Sequence, residues 1–520
     1  MTATKTKQTV IQTDKGKVRG SQLDTHLECL GIPYAAPAVG DLRLRAPIEH
    51  PAWTDVRDAT RFGSPSLQAK TEYDGAQGSE DCLYLNVYKP GAATEGSPLP
   101  VMMWLHGGGF VNGSGNAFNG AFLAQTANVI VVTVNYRLGP LGWLALPSLA
   151  AEADDHSTGN YGLLDSIAAL KWIKRNISSF GGDAGRVTIF GQSAGGEQVL
   201  ALVASPLAAG LFHRAISMSA PAGLSLPTVA QIAPKRAEFA AKLGCRDEAT
   251  QPACLRRPTA QQILDAAKEG WNVLADAGLS WTPTVDGVVL PDQWLNVFRQ
   301  GNFNRVPVMV GHTKEEIRLM GAIFENDAGG KMTLAQGQKI LKGLLGPKAE
   351  KVMQEYGLDT APEPNDAVAK AVTDFLFATG EENDRDALAK HVPVFAYRSY
   401  DPNAPESHVH ALYSKIGAGH DSDLAYLFQW DDFAGKKPEF TPEQQTLALQ
   451  MGRYFGQFAT SGDPNGGDLP HWPPTSAGQI QCLEPASIGG VRSIPVSTYL
   501  DEHKVAFWRS LMSQAPSKAA

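Results

Sequence analysis

The sequence predicts an α/β protein with a mostly parallel central sheet and helices on both faces. Three observations predict it: short continuous apolar runs recur, helical patterns alternate with them, and small residues punctuate the joins. Val101-Met102-Met103-Trp104-Leu105 is apolar throughout and is closed by His106 and three glycines, as a strand buried on both faces should be. Val129 to Val134 is a second such run, rich in β-branched residues. Gly162 to Ile177 sets Leu163, Leu164, Ile167, Leu170 and Ile173 at helical spacing, with Asn160 before it and Gly181-Gly182 beyond. Val187 to Phe190 reads as the next strand and Ala194 to Val203 as the helix after it. Arg214 to Ser219, Val306 to Val310 and Val392 to Tyr397 add short strands. The alternation runs from about residue 100 to about 430 with no internal repeat. It predicts one large domain over residues 1–520 with insertions, and frayed tails near 1–8 and 513–520.

Composition narrows the function. The chain has 520 residues, 43% hydrophobic and 19% charged, with a net charge of -8. No clustered Lys and Arg supply the footprint a nucleic-acid partner needs. The longest apolar stretches, such as Gln198 to Phe212, are interrupted and fall short of the ~20 residues of a membrane span. The polar, Lys-rich start has no apolar signal core, so the sequence as written favours the cytoplasm and leaves export open. Five cysteines show no metal-ligand spacing, and the His408–His410 pair lacks a third ligand, so no metal is expected. Cys245 and Cys254 could close a small loop or stay reduced.

The chemistry concentrates at Gly191-Gln192-Ser193-Ala194-Gly195. Lying between a strand and a helix, this segment must turn sharply, which pushes the Ser193 hydroxyl out above the sheet. The helix behind it favours developing negative charge. His106-Gly107-Gly108-Gly109-Phe110 follows the strand that ends at Leu105, and backbone N–H groups can converge there as in an oxyanion hole. Gly108, Gly109 and Ala194 are the expected donors. A nucleophilic serine needs a base and an orienting acid, in the order Ser, acid, His. Among twelve histidines, His420 in the small-residue loop Gly417 to Asp423 is the leading candidate on spacing, without being settled by it. Glu315 and Glu316, past the strand Val306 to Val310, are both candidates for the acid, as carboxyl ends of strands carry such groups.

Nearly end to end, the chain resembles the type B carboxylesterase/lipase family, its para-nitrobenzyl-esterase-like bacterial members included. The resemblance rests on Ser79-Glu80-Asp81-Cys82-Leu83-Tyr84-Leu85-Asn86, the His106 to Phe110 loop, Asn135-Tyr136-Arg137 and Gly159 to Asp165. It continues through Val187 to Gly196, Leu211 to Ile216, Pro283 to Gly287, Gly311 to Glu316 and Gly417 to His420. It implies the α/β-hydrolase fold and a serine carboxylesterase acting on small-molecule esters without metal or cofactor, as a monomer or small homo-oligomer. A lipase, or a non-catalytic binding relative, is the alternative. It implies Glu316 as the acid, His420 as the base, and Ser219 with Asp423 hydrogen-bonding around that histidine. Arg43–Glu80 and Arg137–Asp165 are its implied ion pairs and Cys245–Cys254 its implied disulfide. Ser66 stands where relatives have the cysteine that pairs with Cys82, so Cys82 is expected to be free. Gln192 replaces the Glu of cholinesterases, and the short, Trp-free segment from Phe62 to Cys82 argues against acetylcholine. Gln192, Ala277, Leu279, Trp281, Leu319 and Met320 are the implied pocket residues, and Arg318, beside the acid loop, either meets a carboxylate-bearing substrate or, as expected first, faces solvent. Ile317 and Asp421 stand where the family has glycines.

Overall fold

The computed structural model describes residues 7–69, 77–91, 97–267, 274, 281–406, 409–429 and 438–513. The N-terminal strands are β1 (Lys7–Gln12), β2 (Lys17–Gln22), β3 (His26–Pro33), β4 (Arg57–Asp58) and β5 (Tyr84–Pro90). The central ones are β6 (Leu99–Leu105), β7 (Ile130–Val134), β8 (Gly182–Gln192) and β9 (Arg214–Met218). β10 (Val308–Thr313), β11 (Val394–Ser399), β12 (Gln479–Leu483) and β13 (Arg492–Pro495) complete one sheet. Its order is β1-β2-β3-β5-β7-β6-β8-β9-β10-β11-β12-β13, with β4 beside β2. The run from β7 to β12 is parallel, and the flanks, β1 to β5 and β13, are antiparallel except for the short β2–β4 pair.

The apolar runs are explained by double-sided burial. Val101, Met103 and Leu105 of β6 enter one core, and Met102 and Trp104 enter the other. On one face the helices α1 (Tyr161–Asn176) and α2 (Ala194–Ala204) supply Leu163, Ile167, Leu170, Val199 and Leu202. The long helix Pro442–Ser461 covers the other face with Met451, Phe455 and Phe458.

β10 and β11 each begin two residues later than the sequence suggests, and the reason is the same. Pro307 and Pro393 have no N–H for a ladder, so each ends its strand's pairing with a carbonyl, to Ala215 N–H (3.1 Å) and Val308 N–H (3.0 Å). At the N-terminus, Lys7 and Gln8 are paired with Gln22 and Ser21 rather than frayed; residues 1–6 and 514–520 lie outside the described residues.

Two buried ion pairs tie the loops around the strands' carboxyl ends. Arg137 grips Asp165 with Nη2–Oδ1 at 2.7 Å and Nε–Oδ2 at 2.8 Å, and Arg43 grips Glu80 with Nη2–Oε1 at 2.6 Å and Nε–Oε2 at 2.7 Å. Both are two-pronged guanidinium–carboxylate contacts, the geometry that best offsets desolvation. Cys245 and Cys254 are disulfide-bonded, nine residues apart. Cys29, Cys82 and Cys482 are free and buried, and Ser66 Oγ accepts the Leu138 N–H at 3.1 Å.

Candidate active site

The loops that follow β8, β9, β10 and β11 bring the expected residues to one end of the sheet. Ser193 sits between β8 and α2 with φ +58° and ψ -125°. A serine held there is strained, and neighbours must hold it. Its N–H donates to Met218 O (2.9 Å) at the end of β9, and its carbonyl accepts the Glu197 N–H (2.9 Å). The flanking glycines are sterically required: a Cβ on Gly191 would lie 2.5 Å from Gly195 O, and one on Gly195 2.0 Å from Leu105 O. The loop after β6 turns at Gly108 with φ +105°, folding its carbonyl back onto the Val111 and Asn112 N–H groups (3.1 Å each). The N–H groups of Gly108, Gly109 and Ala194 make no hydrogen bond to any described residue. They are unspent donors beside the serine.

Glu316, not Glu315, reaches the histidine. Its Oε2 is hydrogen-bonded to His420 Nδ1, its Oε1 takes the Thr313 N–H at 2.7 Å, and its carbonyl takes the His420 N–H at 3.0 Å. Glu315 instead pairs with Arg318 (3.2 Å), which also meets Asp366 (3.3 Å), so Arg318 is engaged in ion pairs. Burial works against a charged His420, but the charge and hydrogen bond of Glu316, with Asp421 and Asp423 beyond, outweigh it and hold its pKa above the ordinary value. His420 Nε2 is buried with no partner, so it is not yet bonded to Ser193 Oγ. Such contacts commonly tighten only when substrate arrives. Ile317 (φ -75°) and Asp421 (φ -116°) have ordinary backbone angles, which is why these loops accept side chains where the family has glycine.

Several expectations need correction. Gln192, expected in the pocket, donates from Nε2 to His420 O at 2.7 Å and so steadies the loop that carries the histidine. The hydrogen bonds expected of Ser219 and Asp423 around His420 are not formed. Ser219 (φ +48°) turns the chain out of β9 with its N–H on Gly311 O (2.7 Å), and its Oγ has no partner. Asp423 Oδ2 accepts from the Tyr397 hydroxyl at 3.3 Å, and burial, helped by the charge of Glu316, pushes its carboxyl up to about 7. Trp281 is a core residue, with the Arg236 guanidinium 3.8 Å over its ring and Phe239 edge-on at 5.3 Å. Leu319 and Met320 are buried in the first turn of α3 (Arg318–Ala328), in an apolar cluster with Ile323, Leu341 and Phe375. Ala277 and Leu279 lie outside the described residues, as does His408; His410 pairs with exposed Glu406 (2.8 Å), and no metal-ligand cluster occurs among the described residues.

Sequence reasoning missed Glu197. It lies in the first turn of α2, four residues past Ser193, only 4% exposed, and its Oε2 has no partner. The signal was visible as the one charged residue of α2. Burial pushes its carboxyl up to about 8. The unfolded chain ionises this group near pH 4.5 while the folded one keeps the proton to about pH 8, so stability falls as pH rises between those values. Glu197→Gln is expected to flatten that fall and to stabilise the protein by roughly 2–3 kcal/mol at pH 8, read from unfolding curves across pH.

A serine at a strained strand-to-helix turn, with free N–H donors and a carboxylate-bound histidine in the loops at the same end of a mostly parallel sheet, defines a serine hydrolase of the α/β-hydrolase fold. The Carboxylesterase family model matches residues 7–508, and the chain belongs to that family. It is a carboxylic ester hydrolase. Carboxylesterase 1D of Rattus norvegicus is 35% identical, over 97% of this chain and 93% of that protein. Cocaine esterase of Homo sapiens is 33% identical, over 93% and 87%. The solved structure of a thermophilic PNB esterase superposes with a TM-score of 0.80 at 32% identity, covering 95% of this chain and 99% of that one.

Proposed function

We propose that Ser193, His420 and Glu316 hydrolyse small carboxylic esters through an acyl-enzyme, within a single domain. The observation that carries this reading is the histidine: Nδ1 is committed to Glu316 while Nε2 is unpartnered, and the loop after β8, at the same end of the sheet, holds Ser193 in a strained conformation. His420 Nε2 takes the proton as Ser193 Oγ attacks the ester carbonyl. The N–H groups of Gly108, Gly109 and Ala194 receive the oxyanion, each worth about 2.7–4 kcal/mol by precedent. The alcohol leaves with the proton from His420, and a water activated by the same imidazole releases the acid. Small esters are favoured as substrates, and no helix among the described residues is long and apolar enough to cross a membrane.

Labelling with an organophosphonate, followed by peptide mapping, tests the site. The label is expected on Ser193, with loss of nitrophenyl-ester turnover in proportion. Label elsewhere, or none, sinks the reading. Strong activation at a lipid interface with long-chain esters would favour a lipase over a carboxylesterase.

A further inference from the structure

Between the helices Pro364–Thr373 and Gly380–Leu388 the chain makes a wide π-helical turn, Asp374–Thr379, buried along its whole length. Such turns are rare, tend to mark functional sites, and disturb the regular helical ladder, so their carbonyls need other partners. Here partners arrive from three directions. Thr379 Oγ1 donates to Asp374 O (2.7 Å), the Tyr499 hydroxyl to Ala378 O (3.2 Å), and the Gly223 N–H to Leu376 O (2.8 Å). The Asp374 carboxylate is gripped by His503 Nδ1 (2.6 Å), the Tyr356 hydroxyl (2.8 Å) and Lys370 Nζ (3.2 Å).

Two side chains four residues apart carry this rigidity into the candidate site. Thr373 Oγ1 accepts the N–H of Ile317, the residue after Glu316, at 3.1 Å. The ring of Phe377 meets the ring of His420 edge to face, with centroids 5.2 Å apart and planes at 62°. That second contact answers a mechanical need. A histidine held by hydrogen bonding only at Nδ1 can still tilt about that bond, and its Nε2 has no partner to stop it. An aromatic ring packed against the imidazole limits the tilt.

We infer that the turn Asp374–Thr379, together with Thr373 that leads into it, is the positioning element of the acid and the base, with Phe377 fixing the plane of His420, Thr373 fixing the peptide after Glu316, and His503 holding the turn from the C-terminal end of the chain. The inference rests on the proposed roles of His420 and Glu316. Phe377 acts through the imidazole it packs against, and His503 acts through Asp374. Misplacing a catalytic group by about 1 Å can cost on the order of 10²-fold in rate.

Phe377→Ala, Phe377→Leu, His503→Ala and His503→Gln test it in the full chain, by kcat and KM on a short nitrophenyl ester, the pH dependence of kcat/KM, and melting temperature. Phe377→Ala is expected to lower kcat by about 10- to 100-fold, with KM within about twofold and the acid limb of the profile displaced. Phe377→Leu, which keeps most of the volume but not the ring, should recover folding and only part of kcat. His503→Ala should lower kcat by roughly tenfold, and His503→Gln, which can still donate to Asp374, should restore it. If kcat and the acid limb stay at wild-type values while only the melting temperature falls, the turn is merely structural and the inference is overturned. A raised KM at constant kcat also overturns it, since Phe377 would then line the substrate pocket. A wild-type protein that neither turns over ester nor takes label at Ser193 defeats the proposed function itself, and the inference with it. Should Phe377→Ala fail to fold, Phe377→Leu and the His503 pair decide the matter.

Discussion

Ser193→Ala is expected to lower kcat on nitrophenyl esters by about 10⁶-fold while leaving the fold intact. The backbone at this position is strained whether the side chain is serine or alanine, since φ +58° penalises any Cβ. The variant therefore loses one hydroxyl and gains no relaxation. His420 has nothing left to deprotonate except water, so covalent catalysis disappears. What remains is what the free N–H groups of Gly108, Gly109 and Ala194 contribute to a carbonyl attacked directly, by precedent about 10³- to 10⁴-fold over water. Residual turnover should be resistant to organophosphonate. Turnover within about tenfold of wild type, or label still incorporated, would remove Ser193 from the reaction.

Glu316→Gln comes next, with an expected loss of about 10⁴-fold in kcat. The direction follows from which oxygen does what. Oε1 is claimed by the Thr313 N–H at 2.7 Å, so the amide must keep its oxygen there and turn its NH₂ toward His420 Nδ1. A donor facing Nδ1 forces the ring to carry its proton on Nε2, the atom that must be free to accept from Ser193. The pH profile should move as well. Glu316 supplies the charge that outweighs burial at His420, so its loss should let burial lower the histidine pKa and carry the acid limb of kcat/KM to lower pH. Activity close to wild type, or an unmoved limb, would show that another carboxylate orients the base; buried Asp423 would be the first to examine.

The parallel centre of the sheet was legible because β6, β7 and β8 from Val187 on are buried on both faces and so read as short runs of apolar and β-branched residues. The serine was legible because its turn demands glycines at fixed offsets. The acid was not: Glu315 and Glu316 are adjacent and chemically alike, and only the register by which β10 ends at Thr313 decides which one turns inward. The antiparallel strands β1 and β2 carry mixed polar residues such as Lys7, Gln8 and Lys17 and gave no apolar run to find. The surroundings of Trp281 were not legible, because an aromatic residue reads the same whether or not, as here, an arginine lies over its ring. Phe377 left no signal, since a phenylalanine in a buried helical stretch is ordinary until the turn around it widens.

The three unpaired thiols have a consequence of another kind. Cys29 lies in β3 and Cys82 just before β5, toward one flank of the sheet, and Cys482 lies in β12 toward the other. Burial pushes Cys29 and Cys82 up to about 12 and raises Cys482 as well. The thiolate is the reactive form, so at neutral pH these sulfurs are chemically silent while the molecule is closed. An alkylating reagent can mark them only during an excursion that bares them, and mass mapping distinguishes one flank from the other. The chain thus carries its own recorders of which edge of the sheet breathes first.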